Sequence, residues 1–174
     1  MIRKAQGTIS DPEKTVKDIE LLGKKYNVLI ELVDAELIYS EPHVISAIEH
    51  AIRSFQHNDN ATSTLQLELL LYLAGERQIH KAIKKVGVTP DTNDFVIIIV
   101  AEINAFKGFN GKLSNTIMDS VLKTTRLKQN NNDITGSQTT LRKFGITQKE
   151  IDTVTTDNYE GLILEKIAMV DIIK

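Results

Sequence analysis

The chain has 174 residues, of which 41% are apolar and 25% charged, and its net charge is −2. This composition is typical of one soluble globular domain with a sizeable core. The slightly acidic balance disfavours a protein that binds nucleic acid over its whole surface, although it allows a local basic patch.

The amino-terminal part of the chain predicts a strand, a helix and a second strand. Ile2 to Ile9 predict a weak strand. Asp11 and Pro12 predict the start of a helix, because aspartate caps free N–H groups and proline fits the first turn. Gly23 lies near the predicted end of that helix. The β-branched residues after Asn27 predict the second strand.

Two further helices are predicted before residue 75. The first begins near Ser40 to Pro42 and carries apolar residues at helical spacing. The second covers Leu65 to Ala74, and Ser63 and Gln66 form a capping-box pattern before it. It is apolar on nearly all sides, which predicts a buried helix. Glu68 is the exception and requires a partner if it is buried. An ion pair and a helix edge facing water both remain open.

The strongest predicted strand is "DFVIIIVAEI", which is apolar on both faces and is therefore expected at the centre of the sheet. The rest of the chain predicts, in order, a loop "FKGFNGK", a helix around Leu113 to Val121, a polar loop "KQNNNDITGSQ", two short helices and a final strand "GLILEKIAMVDIIK". Thr147 and Glu150 form a capping box for the second short helix. We therefore predict one domain, residues 1–174, of the α/β or α+β class. It should have about four strands in a mixed sheet, flanked by six or seven helices.

The sequence predicts no catalytic residue, cofactor or metal site. It contains no nucleophile elbow and no dinucleotide-binding glycine motif. His43, His50 and His57 recur every seven residues, but helical neighbours at that spacing lie about 10.5 Å apart and cannot share one metal ion. The chain has no cysteine and no amino-terminal signal peptide, and its longest apolar run has seven residues. We therefore expect a cytoplasmic protein without a membrane span.

A helix with one basic face is predicted after Gly75, which is expected to end the preceding helix in the left-handed conformation, as Gly87 should end this one. The core face is predicted to contain Ile79, Ala82, Ile83 and Val86. The opposite face carries a basic stripe: Arg77, Lys81 and Lys84. The stripe suits either a solvated face or a patch that contacts phosphates. Asp59 and Glu76 place negative charge nearby, and no aromatic residue is interleaved for base stacking.

Two segments carry a resemblance to a known family. "NATSTLQLELLLYLAGERQIHKAIKKVGV" resembles the signature region of the PRPK-binding protein family, with its N-x-A, its leucine-rich helix with an internal glutamate, and its G-x-R-Q-I block. "KFGITQKEI" and "LILEKIAMVDI" resemble the carboxyl-terminal motifs of that family. The resemblance covers most of the chain. The family is the small kinase-binding subunit of the KEOPS complex.

The resemblance implies a function that the residue patterns do not. KEOPS makes threonylcarbamoyl-adenosine in tRNA, and its catalytic subunit is bound by a small atypical kinase with ATPase activity. The resemblance implies that this chain binds and stimulates that kinase, touches the catalytic subunit only through it, and helps hold tRNA by its CCA end. The residues that we expect to contact tRNA are Asn60, Arg77, Gln78, Lys81 and Lys84.

The kinase-binding surface should be an apolar patch with a polar rim. The candidates are Ile146, Ile151, Ile172 and Ile173, and the alternative is that all four belong to the core. Two other functions compete with the KEOPS interpretation. One is a stand-alone RNA-binding module. The other is a small-molecule enzyme with a pocket near Glu68 or the segment "VDAELIYSEP", which paired carboxylates with raised pKa would support.

Overall fold

The computed structural model describes residues 1–103 and 109–172, which form four strands and eight α-helices. Residues 104–108, in the loop predicted after the strongest strand, and Ile173 lie outside the described residues. In chain order the elements are β1 Ile2–Gln6, α1 Pro12–Tyr26, β2 Leu29–Asp34, α2 Glu41–His57, α3 Leu65–Ala74, α4 Ile79–Val86, β3 Asp94–Val100, α5 Asn115–Thr125, β4 Lys128–Asn130, α6 Gln138–Phe144, α7 Gln148–Ile151 and α8 Tyr159–Ile172. The α+β class is confirmed.

The chain divides into two compact units. The first contains residues 1–35 and 88–132 and holds all four strands with α1 and α5. The second contains residues 36–87 and 133–174 and is helical in its described part. No helix in the described part of the chain is long and apolar enough to cross a bilayer.

The sheet of the first unit has the order β2-β3-β1-β4. Each neighbouring pair is antiparallel, so the predicted mixed sheet is wrong. β3 is interior and fully buried from Phe95 to Ile99, as its two apolar faces predicted. β4 lies within the predicted polar loop. Its three residues are polar, and their strand conformation comes from pairing with β1 rather than from local propensity.

Helix α1 begins as predicted, because the Asp11 side chain accepts a hydrogen bond from the N–H of Lys14 at 3.0 Å. It does not end at Gly23 but continues to Tyr26, and Asn27 closes it with φ of +52°. Gly23 is needed for a different reason. A Cβ there would lie 2.8 Å from the carbonyl oxygen of Val28, so glycine lets the helix approach the chain leading into β2.

The helical unit contains a long segment whose secondary structure was predicted wrongly. The segment predicted as a final strand is helix α8. Its buried residues Ile163, Ile167 and Val170 are four and three positions apart, which is helical spacing. Leu162 and Leu164, on either side of Ile163, are apolar and half-buried. They concealed the helical spacing in the sequence and made the segment resemble a strand with alternating apolar and polar residues.

The helix starts in this unit were predicted with more success. Ser40 caps α2, and Thr147 and Glu150 form the predicted capping box of α7, in which the N–H of Thr147 donates to Glu150 Oε2 at 2.7 Å. The capping box predicted at Ser63 and Gln66 is wrong. The cap of α3 is Thr64, one residue later, whose hydroxyl accepts from the N–H of Leu67.

Candidate nucleic-acid and partner surfaces

Gly75 forms the turn between α3 and α4, with φ of +60° and ψ of +32°. Its N–H donates to the carbonyl of Tyr72, and the N–H of Glu76 donates to that of Leu71, which satisfies carbonyl groups at the end of α3. A Cβ at this position would lie 2.6 Å from the ring of Phe144. The predicted left-handed conformation is confirmed, and close packing is a second reason for glycine.

Lys85, on α4, contacts both Glu76 and Phe144 at this turn. Its Nζ lies 2.5 Å from Glu76 Oε1 and donates to the carbonyl of Phe144 at 3.0 Å, above the ring of the same residue. This lysine therefore neutralises the glutamate next to the predicted basic stripe. Glu76 is consequently a weaker obstacle to anion binding than its position in the sequence indicated.

The remaining basic residues of α4 project outward. Lys81 and Lys84 are exposed, whereas Ala82 and Val86 are buried on the opposite side. Ile83, predicted to be in the core, is 48% exposed, so that part of the prediction is wrong. The core face of this short helix is therefore narrower than the spacing of apolar residues indicated: Ala82 and Val86 are buried, and Ile79 is half-buried.

Gly87 does not end α4 in the way that Gly75 ends α3. Its φ is −69° and its ψ is 148°, which is extended backbone that other residues adopt, so the predicted left-handed end is wrong. A Cβ at Gly87 would lie 2.3 Å from the carbonyl oxygen of Ile83. Glycine is required here for space alone.

The start of α4 carries two predicted contact residues. Gln78 occupies the capping position, but its exposed side chain makes no capping hydrogen bond. Arg77 is half-buried, and its Nε is buried without a hydrogen-bond acceptor among the described residues. An uncapped helix start beside an arginine offers N–H groups and positive charge to an anion.

Glu68 is buried and has the hydrogen-bond partners that burial requires. This carboxylate is fully buried and accepts hydrogen bonds from the Ser54 hydroxyl at 3.1 Å, from the N–H of Ala61 at 3.0 Å, and from both the N–H and the hydroxyl of Thr62, at 2.9 and 2.8 Å. It therefore holds the loop that precedes α3. Asn60 lies in this loop, and its side-chain amide donates to the carbonyl of Thr62.

The predicted tRNA contacts thus fall into two groups at opposite ends of α3. Asn60 lies in the loop held by the first turn of the helix, and Arg77 follows its last residue. Ten helical residues span about 15 Å. This is the length of about four stacked nucleotides of one strand, so both groups can contact the same RNA only over several nucleotides.

The structure separates the four predicted kinase contacts. Ile146 and Ile151 are 2% and 1% exposed and belong to the core, so their side chains offer no surface to a partner. Their apolar character is explained by packing in the α6–α7 region. Ile172 is 75% exposed on the last turn of α8, where Met169 and Ala168 are also exposed. Ile173 lies outside the described residues.

Asp171, next to Ile172, was missed by sequence analysis. It accepts a hydrogen bond from the hydroxyl of Tyr72, and its other carboxylate oxygen lies 2.6 Å from Nδ1 of His50. A cavity of about 410 Å³ lies beside it, lined by Arg53, Ser54, His57, Asp59 and Asp171. No sequence signal marked it, because this segment was predicted as a strand and its partners Tyr72 and His50 lie far away in the chain.

Two titratable groups with shifted pKa values, the buried His43 and the half-buried Glu31, bear on the enzyme alternative. His43 Nδ1 accepts from the N–H of Tyr39, Nε2 donates to the carbonyl of Leu73, and burial lowers its pKa to about 4. It is therefore a neutral structural histidine. Burial raises the pKa of Glu31 to about 8, but the residue opposite it on β3 is Ile98 rather than a second carboxylate. The oxygens of Glu68 are occupied by the loop. None of these observations favours a catalytic site.

Comparison with known proteins gives consistent matches. A family model described as "Kinase binding protein CGI-121" matches residues 9–171. "Regulatory protein Cgi121" of Methanocaldococcus jannaschii is 28% identical over 153 residues, which is 88% of each chain. "EKC/KEOPS complex subunit CGI121" of Coccidioides immitis is 28% identical over 82 residues, 47% of this chain and 40% of that protein. The protein of the same name from Kluyveromyces lactis is 26% identical over 95 residues, 55% of this chain and 60% of that one. The match thus spans less than two thirds of the last two relatives.

Proposed function

The chain belongs to the kinase binding protein CGI-121 family, and from this we propose that residues 1–174 form a non-catalytic regulatory subunit of a KEOPS complex. In this role it binds and stimulates the small atypical kinase with ATPase activity, and it reaches the catalytic subunit only through that kinase. The complex modifies tRNA with threonylcarbamoyl-adenosine. Support comes from the family match over most of the chain and from two relatives named as EKC/KEOPS subunits.

We propose that the kinase contacts the outer face of the last turns of α8, which we define as Ala168, Met169 and Ile172. A branched apolar side chain that is 75% exposed at the end of a helix is the strongest single observation for this surface. An exposed apolar group gains free energy when a partner removes it from water, and the neighbouring exposed apolar atoms extend the patch.

Ile172→Arg tests this surface. The variant should fold as the wild type does, because the side chain is exposed, and should no longer co-purify with the kinase subunit of the same organism, because a charge would be buried in the contact. Leu21→Arg on α1 is the matched control, since Leu21 is 62% exposed and is not part of the proposed surface. A folded Ile172→Arg variant that still co-purifies would exclude this residue from the contact.

We further propose that tRNA is held through its CCA end by the start and outer face of α4, with Asn60 as a second contact. The observation that carries this proposal is the uncapped start of α4 next to Arg77, whose buried Nε has no acceptor among the described residues. A buried donor without an acceptor costs free energy, which favours a change of the Arg77 side-chain conformation that lets its guanidinium reach a phosphate or base oxygen. Lys81 and Lys84 would add phosphate contacts, and Gln78 can reach a base edge or ribose.

The double variant Arg77→Glu with Lys84→Glu tests the tRNA contact. It should weaken tRNA binding at low salt by at least tenfold and leave kinase binding intact, because phosphate contacts are electrostatic. The matched control is Lys14→Glu with Lys17→Glu, which makes the same change of net charge on exposed positions of α1. Removing the CCA end of the tRNA should abolish the difference between the wild type and the Arg77/Lys84 variant. An affinity equal to that of the wild type would rule out this site.

A stand-alone RNA-binding module is the alternative that the same basic face supports. A pull-down from cell extract, with and without nuclease, separates the two. The KEOPS role predicts that the kinase is captured in both cases. Capture of RNA without any kinase would favour the module.

A further inference from the structure

Asp171 occupies a position that is unfavourable for an isolated helix. It lies in the last turn of α8, where the partial negative charge of the helix dipole repels a carboxylate, and that turn contains no basic residue. Departures from local preference that persist in a fold are commonly compensated by tertiary contacts or required by function. The surroundings of Asp171 supply such contacts.

Both carboxylate oxygens of Asp171 are held by other helices. The hydroxyl of Tyr72, on α3, donates to Oδ1, and Nδ1 of His50, on α2, lies 2.6 Å from Oδ2. The two rings are themselves in contact, with centroids 5.4 Å apart. Tyr72 is 0% exposed, so its hydroxyl is fixed by the packing around it. One carboxylate thus joins the end of α8 to two helices.

This anchor lies where the core contact of α8 ends. Val170 is 2% exposed and is the last residue of the helix that packs in the core, whereas Ile172 is 75% exposed. Helix ends fray when their last carbonyl groups lack partners. The bonds of Asp171 extend the fixed part of α8 to the residue directly before Ile172.

We propose that Tyr72 and His50 are positioning residues for the kinase contact. By holding Asp171 they keep the last turn of α8 helical and so fix the direction in which Ile172 is presented. This inference rests on the proposed contact of the kinase with the outer face of α8. Because Tyr72 is completely buried, it cannot touch the kinase, and any effect of its hydroxyl on affinity must act through another residue.

Tyr72→Phe tests the inference, because it removes the hydroxyl and keeps the ring. Binding of the purified kinase subunit is measured by calorimetry for the wild type, Tyr72→Phe, Ile172→Ala and the double variant. We expect Tyr72→Phe to lower the affinity on the order of tenfold, since binding must then re-order a frayed turn. In the Ile172→Ala background the same change should have almost no further effect, because the group that it positions is absent.

Tyr159→Phe is the matched control. Its hydroxyl accepts from the side chain of Gln138 at 2.6 Å, at the opposite end of α8, and its loss should leave kinase affinity unchanged. Hydrogen exchange of the amides of residues 170–172 gives a second measurement without the kinase. Exchange there should be faster in Tyr72→Phe than in the wild type. Asp171→Asn, on a partly exposed side chain, replaces Tyr72→Phe if that variant does not fold.

The possible failures are distinguishable. Unchanged affinity of Ile172→Ala would overturn the proposed kinase contact itself. A weakened Ile172→Ala together with an unaffected Tyr72→Phe would overturn only the positioning role. Losses that add in the double variant, or unchanged exchange at residues 170–172, would also overturn it, because the effect of the hydroxyl would then not act through the end of α8.

Discussion

Gly75 shows how much one absent side chain can determine in this fold. Its left-handed backbone ends α3, and the space where a Cβ would lie is occupied by the Phe144 ring. The Phe144 ring also forms a T-shaped contact with the ring of His43 and lies beneath Lys85. The chain direction that leads from α3 to Arg77 therefore depends on close packing at a single residue.

Gly75→Ala should destabilise the protein by about 3 kcal/mol, because the left-handed conformation and the displaced ring each cost about 1–2 kcal/mol. Gly161→Ala is the matched control. A Cβ at Gly161, in the first turn of α8, would meet nothing within 4 Å, so alanine should stabilise the helix by about 0.5–1 kcal/mol. Urea unfolding measures both. Similar values for the two variants would contradict the packing argument.

Helix α3 is the element that links the two proposed surfaces. It is the most buried helix of its unit, yet it carries Glu68 and Tyr72 four residues apart on one face. Glu68 holds the loop that contains Asn60, and Tyr72 holds the end of α8. These two buried polar side chains of a mostly apolar helix thus have separate anchoring tasks, Glu68 at the loop and Tyr72 at the end of α8.

Glu68→Gln should release the loop before α3. The amide replaces one acceptor oxygen with a donor that faces the N–H groups of Ala61 and Thr62, which leaves buried donors without partners. We expect a loss of about 2–4 kcal/mol in the free energy of unfolding and faster proteolysis within residues 58–64. Glu165→Gln, at an exposed position of α8, should change neither. A stable variant with a protected loop would show that these hydrogen bonds are dispensable.

At the scale of the whole molecule, the sequence predicted correctly the features that depend on neighbouring residues, such as helix starts. It did not predict the features that depend on contacts between residues far apart in the chain. The starts of α1 and α2 follow from Asp11 and Ser40, whose side chains cap free N–H groups. β4 could not be predicted, because three polar residues become a strand only by pairing with β1. The same limit applies to the candidate site. Ile146 is buried and Ile172 is exposed although both are isoleucines, because their burial depends on which other elements cover each side chain.

The stability of the whole chain should depend on pH through Glu31. The folded protein keeps this proton up to a pKa of about 8, whereas the unfolded chain releases it near 4.5. Between these values the unfolded state binds fewer protons, so the free energy of unfolding falls as pH rises. Glu31→Gln removes this loss. The variant should match the wild type near pH 4.5 and exceed it by about 3 kcal/mol at pH 7.

Urea unfolding of the wild type and Glu31→Gln from pH 4.5 to pH 8 measures this difference. His43 acts in the opposite direction, since its lowered pKa of about 4 costs stability as pH falls below 6.5. That contribution is the same in both proteins and cancels in the difference. Glu49→Gln, on the exposed side of α2, is the matched control and should show no such pH dependence. A difference between Glu31→Gln and the wild type that stays constant over this range would mean that Glu31 is ionised in the folded protein.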